Sequence, residues 1–273
     1  MRLIFTDLDG SLLDHHNYSF APAANCLERL EKQSIPVIPI TSKTRTEVLS
    51  FRETINNSHP FIIENGAAIC VPRRYFDQIP NRANECGDYW IINNSKPRSH
   101  WLDILTKVGK SFANEYQTFS SICDEQGIGG LSQLTKLSES QAALAQQREY
   151  TESIHWLGNN SRKADFIHQL NNAGANLIQG GRFLSMGGDT HKGRALLQLQ
   201  ALYQAQYGQC QSIAIGDSFN DISMLEVADS ALVIRSPNHA MPVLKRTTNL
   251  YQSNAVGPNG WVEGINAWLK NHF

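Results

Sequence analysis

Ile4-Phe5-Thr6-Asp7-Leu8-Asp9-Gly10-Ser11-Leu12-Leu13 is the stretch whose reading decides the fold. Apolar residues run directly into two carboxylates spaced two apart, followed by glycine and a small hydroxyl residue. Side chains on a strand repeat direction every second residue, so Asp7 and Asp9 are expected on the same side at the end of a buried strand. Two like charges held that close repel, and burying either alone costs several kcal/mol. Such a pair calls for a bound cation, or for one member to work as an acid. A strand followed by a polar Asp-Gly turn is the plainer reading of the same residues.

Outward from this stretch, apolar runs of strand length alternate with helix-period stretches. Residues 2–6 read as a strand, and Ala23, Cys26, Leu27 and Leu30 recur at helical spacing. The run 35–40 is the next strand, although Pro36 and Pro39 each remove a ladder donor there. Val48, Phe51 and Ile55 then mark a helix. Near the C-terminus, Leu196, Leu199 and Tyr203 precede an apolar run at 212–216, and Ile222, Leu225 and Ala228 precede another at 231–234. This alternation predicts an α/β protein whose mainly parallel sheet carries helices on both faces. Ile62-Ile63-Glu64-Asn65-Gly66-Ala67-Ala68-Ile69 reads as a hairpin, with Asn-Gly between two apolar arms.

After the hairpin the texture becomes more polar, with loop-like segments at 93–97 and at Gly127-Ile128-Gly129-Gly130. Helices are expected around 101–116, 138–147 and 162–172, and short strands at 89–92, 153–157 and 175–179. The pattern predicts an inserted α/β domain over 80–187, splitting a first domain into 1–79 and 188–273. Hinges are expected near 76–82 and 187–191. Gly257-Pro258-Asn259-Gly260-Trp261 reads as a tight turn before the last helix.

Lys plus Arg number 24 against 25 Asp plus Glu, a net charge of −1 that leaves no basic excess for nucleic acid or a membrane surface. An anionic substrate must then be held by a few placed cations. The five cysteines are scattered without a Cys-x-x-Cys pair, which argues against a disulfide framework or zinc site and fits a reducing interior. No segment approaches the ~18 consecutive apolar residues of a membrane span. The first residues leave no room for a cleavable signal, so the cytoplasm is the expected location.

Three further clusters carry chemistry. Thr41-Ser42-Lys43 follows the second strand, where open parallel sheets bind ligands, and a hydroxyl there can donate to a phosphoryl oxygen; a helix cap is the commoner role of such a pair. Lys192, in Gly188-Asp189-Thr190-His191-Lys192-Gly193-Arg194, opens a helix against the positive end of its dipole, a misfit that a bound anion would repair and that a solvated surface lysine would tolerate. Gly216-Asp217-Ser218-Phe219-Asn220-Asp221 crowds two acids and an amide into one loop after a buried strand. Hard oxygen ligands at that density suit magnesium, although an Asx turn with a helix cap uses the same residues.

Taken in order, the acidic pair, the hydroxyl after the second strand, Lys192 and Gly216-Asp217-Ser218-x-Asn220-Asp221 resemble the haloacid dehalogenase superfamily of phosphotransferases. Glu64-Asn65-Gly66-Ala67 is similar to the element preceding the α/β cap in the large-capped, sugar-phosphatase-rich branch. The resemblance spans essentially the whole chain, with Ser11 in place of the commoner threonine. It implies a Rossmann-like, doubly wound core with an inserted α/β cap, and magnesium-dependent hydrolysis of phosphomonoesters. In that scheme Asp7 is the nucleophile and Asp9 the general acid and base, Thr41, Ser42 and Lys192 bind phosphate, and Asp7, Asp9, Asp217 and Asp221 form the metal set.

Two cap segments, Gln147-Arg148-Glu149-Tyr150-Thr151-Glu152 and Gly180-Gly181-Arg182-Phe183, resemble motifs of the mannosyl-3-phosphoglycerate phosphatase group, as does Thr41-Ser42-Lys43-Thr44. The resemblance implies a small phosphorylated sugar-glycerate as substrate, with Arg148 and Arg182 for a glycerate carboxylate and Glu149 for sugar hydroxyls. It implies no nucleic acid, membrane or obligate protein partner. As ordinary surface residues, Arg182 would cap a turn and Arg148 would pair with Glu152 along a helix. Ser185-Met186 stands where a histidine is expected, Ser153 where a proline is frequent and His191 where many relatives carry an acid. Those departures leave open sucrose-, trehalose- or glucosylglycerate-type phosphatases, a phosphomutase, and a binding protein without turnover.

Overall fold

The computed structural model describes residues 1–180 and 182–270. Gly181 of the second cap segment therefore lies outside the described residues, as do the last three positions of the chain. A five-stranded sheet forms the centre, in the order Leu250–Val256, Ser230–Arg235, Gln211–Gly216, Arg2–Thr6 and Val37–Pro39, and every neighbouring pair is parallel. Parallel strands must be covered on both faces, and the alternation of side chains meets that demand. Ile4, Ile213, Ile215, Leu232 and Ile234 face one side, against Leu30 of the helix Ala24–Lys32 and Trp261, Ile265 and Trp268 of the helix Gly257–Leu269. Leu3, Phe5, Ala214, Ala231 and Val233 face the other, against Leu196, Leu199 and Tyr203 of the helix Lys192–Tyr207 and Met224 and Leu225 of the helix Ile222–Val227.

Register places the chemistry. Thr6 pairs with Ile215 on one side and Pro39 on the other, so the chain leaves three adjacent strands at the same height. The next residues are Asp7, Gly216-Asp217 and Ile40-Thr41. Neighbouring strands lie about 4.8 Å apart, which gathers their carboxyl-end loops into one small area. Val37–Pro39 is the edge strand, where the missing proline donors cost little.

The expected hairpin is present: Phe61–Ile63 pairs antiparallel with Ala68–Pro72. It joins the strands Tyr89–Asn93 and Ala83–Cys86 in a four-stranded sheet, tied to the core by a bridge between Ile40 and Ile62. The division expected after residue 79 thus falls inside a single sheet. A second antiparallel sheet of the inserted region runs in the order Tyr116–Thr118, Glu152–Trp156, Leu184–Gly187, Asn176–Gln179. The helices Arg98–Val108 and Asn160–Asn172 pack on it through Trp101, Leu105, Phe166 and Leu170. The segment 127–130, expected as a loop, lies within the helix Phe119–Thr135, which breaks at Gly127 (φ 68°, ψ −173°) and then resumes. Gly257-Pro258-Asn259-Gly260 is no separate turn but the first turn of the last helix, with proline where its missing N–H is tolerated. No helix among the described residues is long and apolar enough to cross a membrane.

The helix carrying Lys192 crosses the following one at very short range. A Cβ on Gly193 would stand 2.2 Å from the carbonyl oxygen of Ser223, so only glycine allows this crossing. Gly193→Ala is therefore expected to lower stability by about 3 kcal/mol through overpacking against backbone, read as a lower denaturation midpoint in urea.

Candidate active site

Asp7, Asp217 and Asp221 converge at the carboxyl edge of the sheet, each offering an oxygen within 4.8 Å of the others. Gly10 makes the approach of the two loops possible, for its φ is +81° and a Cβ there would lie 2.6 Å from Oδ2 of Asp217. Lys192 enters from the start of its helix, and its Nζ donates to Oδ1 of Asp7 at 2.5 Å and to Oδ1 of Asp221 at 2.6 Å. The ammonium is completely buried. Burial works against its charge, but Asp221 and Asp7 outweigh that and hold its pKa above the ordinary lysine value.

Asp221 spends its second oxygen on the loop itself, accepting from the backbone N–H of Asp217 at 3.1 Å and of Ser218 at 3.0 Å. Its geometry makes it a support for Lys192 and for the Asp217 loop rather than an open ligand. Burial pushes the Asp7 carboxyl well above the usual carboxylate range; Lys192 opposes this, while Asp221 and Asp217 add to it. Asp217 is likewise pushed up to about 6, by burial and then by Asp221. Three buried carboxylates against one ammonium leave surplus negative charge, and the donors are hard oxygens. That donor set fits a divalent magnesium ion.

Asp9, expected in the same cluster, does not join it. Its Oδ2 lies 2.8 Å from Nζ of Lys43, and its Oδ1 is buried without a hydrogen-bond partner. Thr41 is buried and its Oγ1 accepts from the N–H of Lys43 at 3.2 Å, leaving its own hydroxyl proton uncommitted among the described residues. Ser42 and Lys43 line, with Asp9, a cleft of 710 Å³ that reaches the inserted domain. Arg148 and Arg182 line the same cleft, Arg148 with its guanidinium 3.4 Å from the Ser42 carbonyl. Arg182 also holds the end of the helix Phe119–Thr135, donating to the carbonyls of Leu134 and Thr135 at 3.0 and 2.5 Å. Glu149, expected to meet sugar hydroxyls, is instead held 2.7 Å from Arg45 and is not part of the cleft lining.

The family model described as haloacid dehalogenase-like hydrolase matches residues 4–83 and 132–256. The chain belongs to that family. This hydrolase is 33% identical over 264 residues to a glucosyl-3-phosphoglycerate/mannosyl-3-phosphoglycerate phosphatase of Methanococcoides burtonii, covering 97% of this chain and 96% of that protein. A protein of the same description from Persephonella marina is 32% identical over 265 residues, covering 96% and 95%. Among solved structures, a haloacid dehalogenase-like hydrolase from B. subtilis superposes with a TM-score of 0.64 at 20% identity over 100% of both chains. The sucrose-phosphatase of Synechocystis, solved with sucrose and phosphate, gives 0.59 at 15% identity over 98% of each chain. Those two similarities establish the shared fold.

Three residues of the hydrolase gain a structural role that spacing did not reveal. Lys43 pairs with Asp9, a role that the hydroxyls on either side of it do not announce. Trp261 donates its indole N–H to Thr6 Oγ1 at 3.0 Å, and Thr6 in turn donates to the carbonyl of Asp7 at 2.7 Å. No local signal links positions so far apart. Glu64 is completely buried and accepts from the backbone N–H of Glu149, Tyr150 and Thr151 at 2.8, 3.2 and 2.7 Å, and from the Thr151 hydroxyl at 2.5 Å. One carboxylate thus pins the inserted domain to the loop after the hairpin strand. Glu64→Ala strands those donors, and is expected to cost upward of about 3 kcal/mol in denaturant unfolding.

Proposed function

We propose that this hydrolase is a magnesium-dependent phosphatase that cleaves a glycosyl-3-phosphoglycerate, mannosyl-3-phosphoglycerate first among them, through an aspartyl-phosphate. The observation carrying the reading is the Asp7–Lys192–Asp221–Asp217 cluster beside a cleft lined by both Asp9 and Arg148. The phosphoglycerate substrates named for the relatives of M. burtonii and P. marina support the choice of ester. We take the substrate-covering cap to begin after Asn93, the last residue of the strand that pairs with Ala68–Pro72, and to end near Gly187.

In the first half-reaction a carboxylate oxygen of Asp7 bonds to phosphorus as the ester P–O bond breaks, and Asp9 gives its proton to the departing alcohol. In the second, Asp9 takes a proton from water, whose oxygen attacks phosphorus; inorganic phosphate leaves and Asp7 is regenerated. Lys192 orients Asp7 throughout and, with Thr41 and Ser42, stabilises the non-bridging oxygens as charge spreads over them. Asp221 keeps Lys192 in place. Magnesium, held by Asp7, Asp217 and the backbone carbonyl of Asp9, would offset the repulsion between carboxylate and phosphate. Arg148, in the lining of the cleft, meets the leaving group, where a planar guanidinium suits a carboxylate.

Asp7→Asn keeps the shape of the side chain and removes the nucleophilic charge. It is expected to lower phosphate release at least about 10⁴-fold while leaving the thermal unfolding transition cooperative. A panel of esters assayed with magnesium tests the substrate: mannosyl- and glucosyl-3-phosphoglycerate should exceed mannose 6-phosphate, sucrose 6-phosphate and trehalose 6-phosphate in kcat/KM. Equal or faster turnover of the neutral sugar phosphates would remove the phosphoglycerate reading.

A further inference from the structure

Lys43 sits on a fixed backbone. Its N–H donates to Thr41 at 3.2 Å and its carbonyl accepts from the N–H of Glu64 at 3.1 Å. The ammonium reaches Asp9 at 2.8 Å and Glu47 at 3.7 Å, and lies 5.2 Å from the centre of the Tyr18 ring. Burial opposes its charge, while Asp9 and Glu47 hold its pKa above the ordinary lysine value. These two anionic partners differ in freedom. Glu47 is fixed, because its Oε2 accepts from Thr44 N at 2.8 Å and Thr44 Oγ1 at 3.0 Å in the capping box of its helix. Asp9 is not: its Oδ1 is buried with no partner, while the backbone beside it is held by the Gly10 N–H donating to Leu13 at 3.0 Å. Side-chain rotation is the motion left to Asp9.

The cleft wall also holds a second cation. Arg148 donates to the Thr151 hydroxyl at 2.8 Å and lies 3.9 Å from Glu64, but its Nε is buried without a hydrogen-bond partner and its two contacts to the Ser42 carbonyl are long at 3.4 Å. Lys43 and Arg148 both line this cleft, so a carboxylate entering it would meet two cations.

Resting on the phosphoglycerate reading, we propose that Lys43 couples recognition of a carboxylate on the leaving group to release of Asp9 for proton transfer. A substrate carboxylate replaces Asp9 on Lys43; the freed carboxylate takes a proton from solvent and turns toward the bridging oxygen, to which it gives that proton as the ester bond breaks. A neutral leaving group offers Lys43 nothing in exchange, so the ion pair opposes the same turn. Selectivity then comes from positioning the general acid as well as from binding, and Lys43 acts as a positioning residue.

The test compares mannosyl-3-phosphoglycerate with mannose 6-phosphate in the magnesium-loaded wild type, Lys43→Met and Lys43→Arg. In the Met variant kcat/KM for the phosphoglycerate ester is expected to fall about 10- to 100-fold, the worth of a charge-assisted hydrogen bond. For mannose 6-phosphate it should rise about two- to fivefold, the worth of a partly exposed ion pair no longer holding Asp9. The Arg variant, which still pairs with carboxylates, should retain the wild-type preference. A parallel fall for both esters, or an unchanged ratio, overturns the coupling. A wild type that does not prefer the phosphoglycerate ester sinks the substrate reading itself, whereas a preference surviving in the Met variant sinks the coupling alone. Independently of any variant, saturating D-glycerate with inorganic phosphate should shift the ¹³C carboxylate resonance of Asp9 and glycerol with phosphate should not; identical spectra would also overturn the proposal.

Discussion

The buried ammonium of Lys192, shared between Asp7 and Asp221, is the interaction on which the rest of the site depends. Without it three carboxylates would crowd a water-poor pocket, and their mutual repulsion would drive the loops apart. With it, Asp221 becomes a strut: one oxygen holds the lysine and the other closes the loop that presents Asp217. The lysine itself depends on a helix that crosses its neighbour at the range only Gly193 permits. A chain of steric and electrostatic constraints thus runs from helix packing to the orientation of one carboxylate oxygen of Asp7.

A second set of constraints joins the inserted domain to the core. Glu64 collects three consecutive backbone N–H groups of the 149–151 segment, and Arg148 leans on the Ser42 carbonyl beside Lys43. Thr46 donates to the carbonyl of Leu144 at 3.2 Å, with Thr44 Oγ1 3.0 Å from the same oxygen, bringing the end of the helix Glu139–Ala145 onto the start of the helix Arg45–Thr54. The segment from Thr41 to Glu47 therefore touches Asp9, the cleft and the inserted domain at once. Very few atoms separate the inserted domain from Asp9 along this path.

Much of this was readable from the chain. Asp7, Asp217 and Lys192 stand directly after strands or at a helix start, so periodicity alone puts them at one edge of a parallel sheet. What escaped depends on partners distant in sequence. Residues 89–92 read correctly as a strand, but pairing with Ala68–Pro72 assigns them to the sheet next to the core, a fact no local pattern contains. The helix Phe119–Thr135 was hidden by three glycines that interrupt its propensity, and packing of Phe119, Ile122 and Leu131 overrides them. Glu149 shows the converse: a motif placed it in the site, and the proximity of Arg45 turns it elsewhere.

The indole of Trp261 and the hydroxyl of Thr6 are separated by 255 positions, yet one supports the other beneath Asp7. Translation delivers the amino-terminal strand first and proceeds at about 5–20 residues per second. The strand Arg2–Thr6 must therefore wait for the helix Gly257–Leu269 before the loop beyond it is braced. The support beneath Asp7 thus comes from a residue made later than Lys192, Asp217 and Asp221.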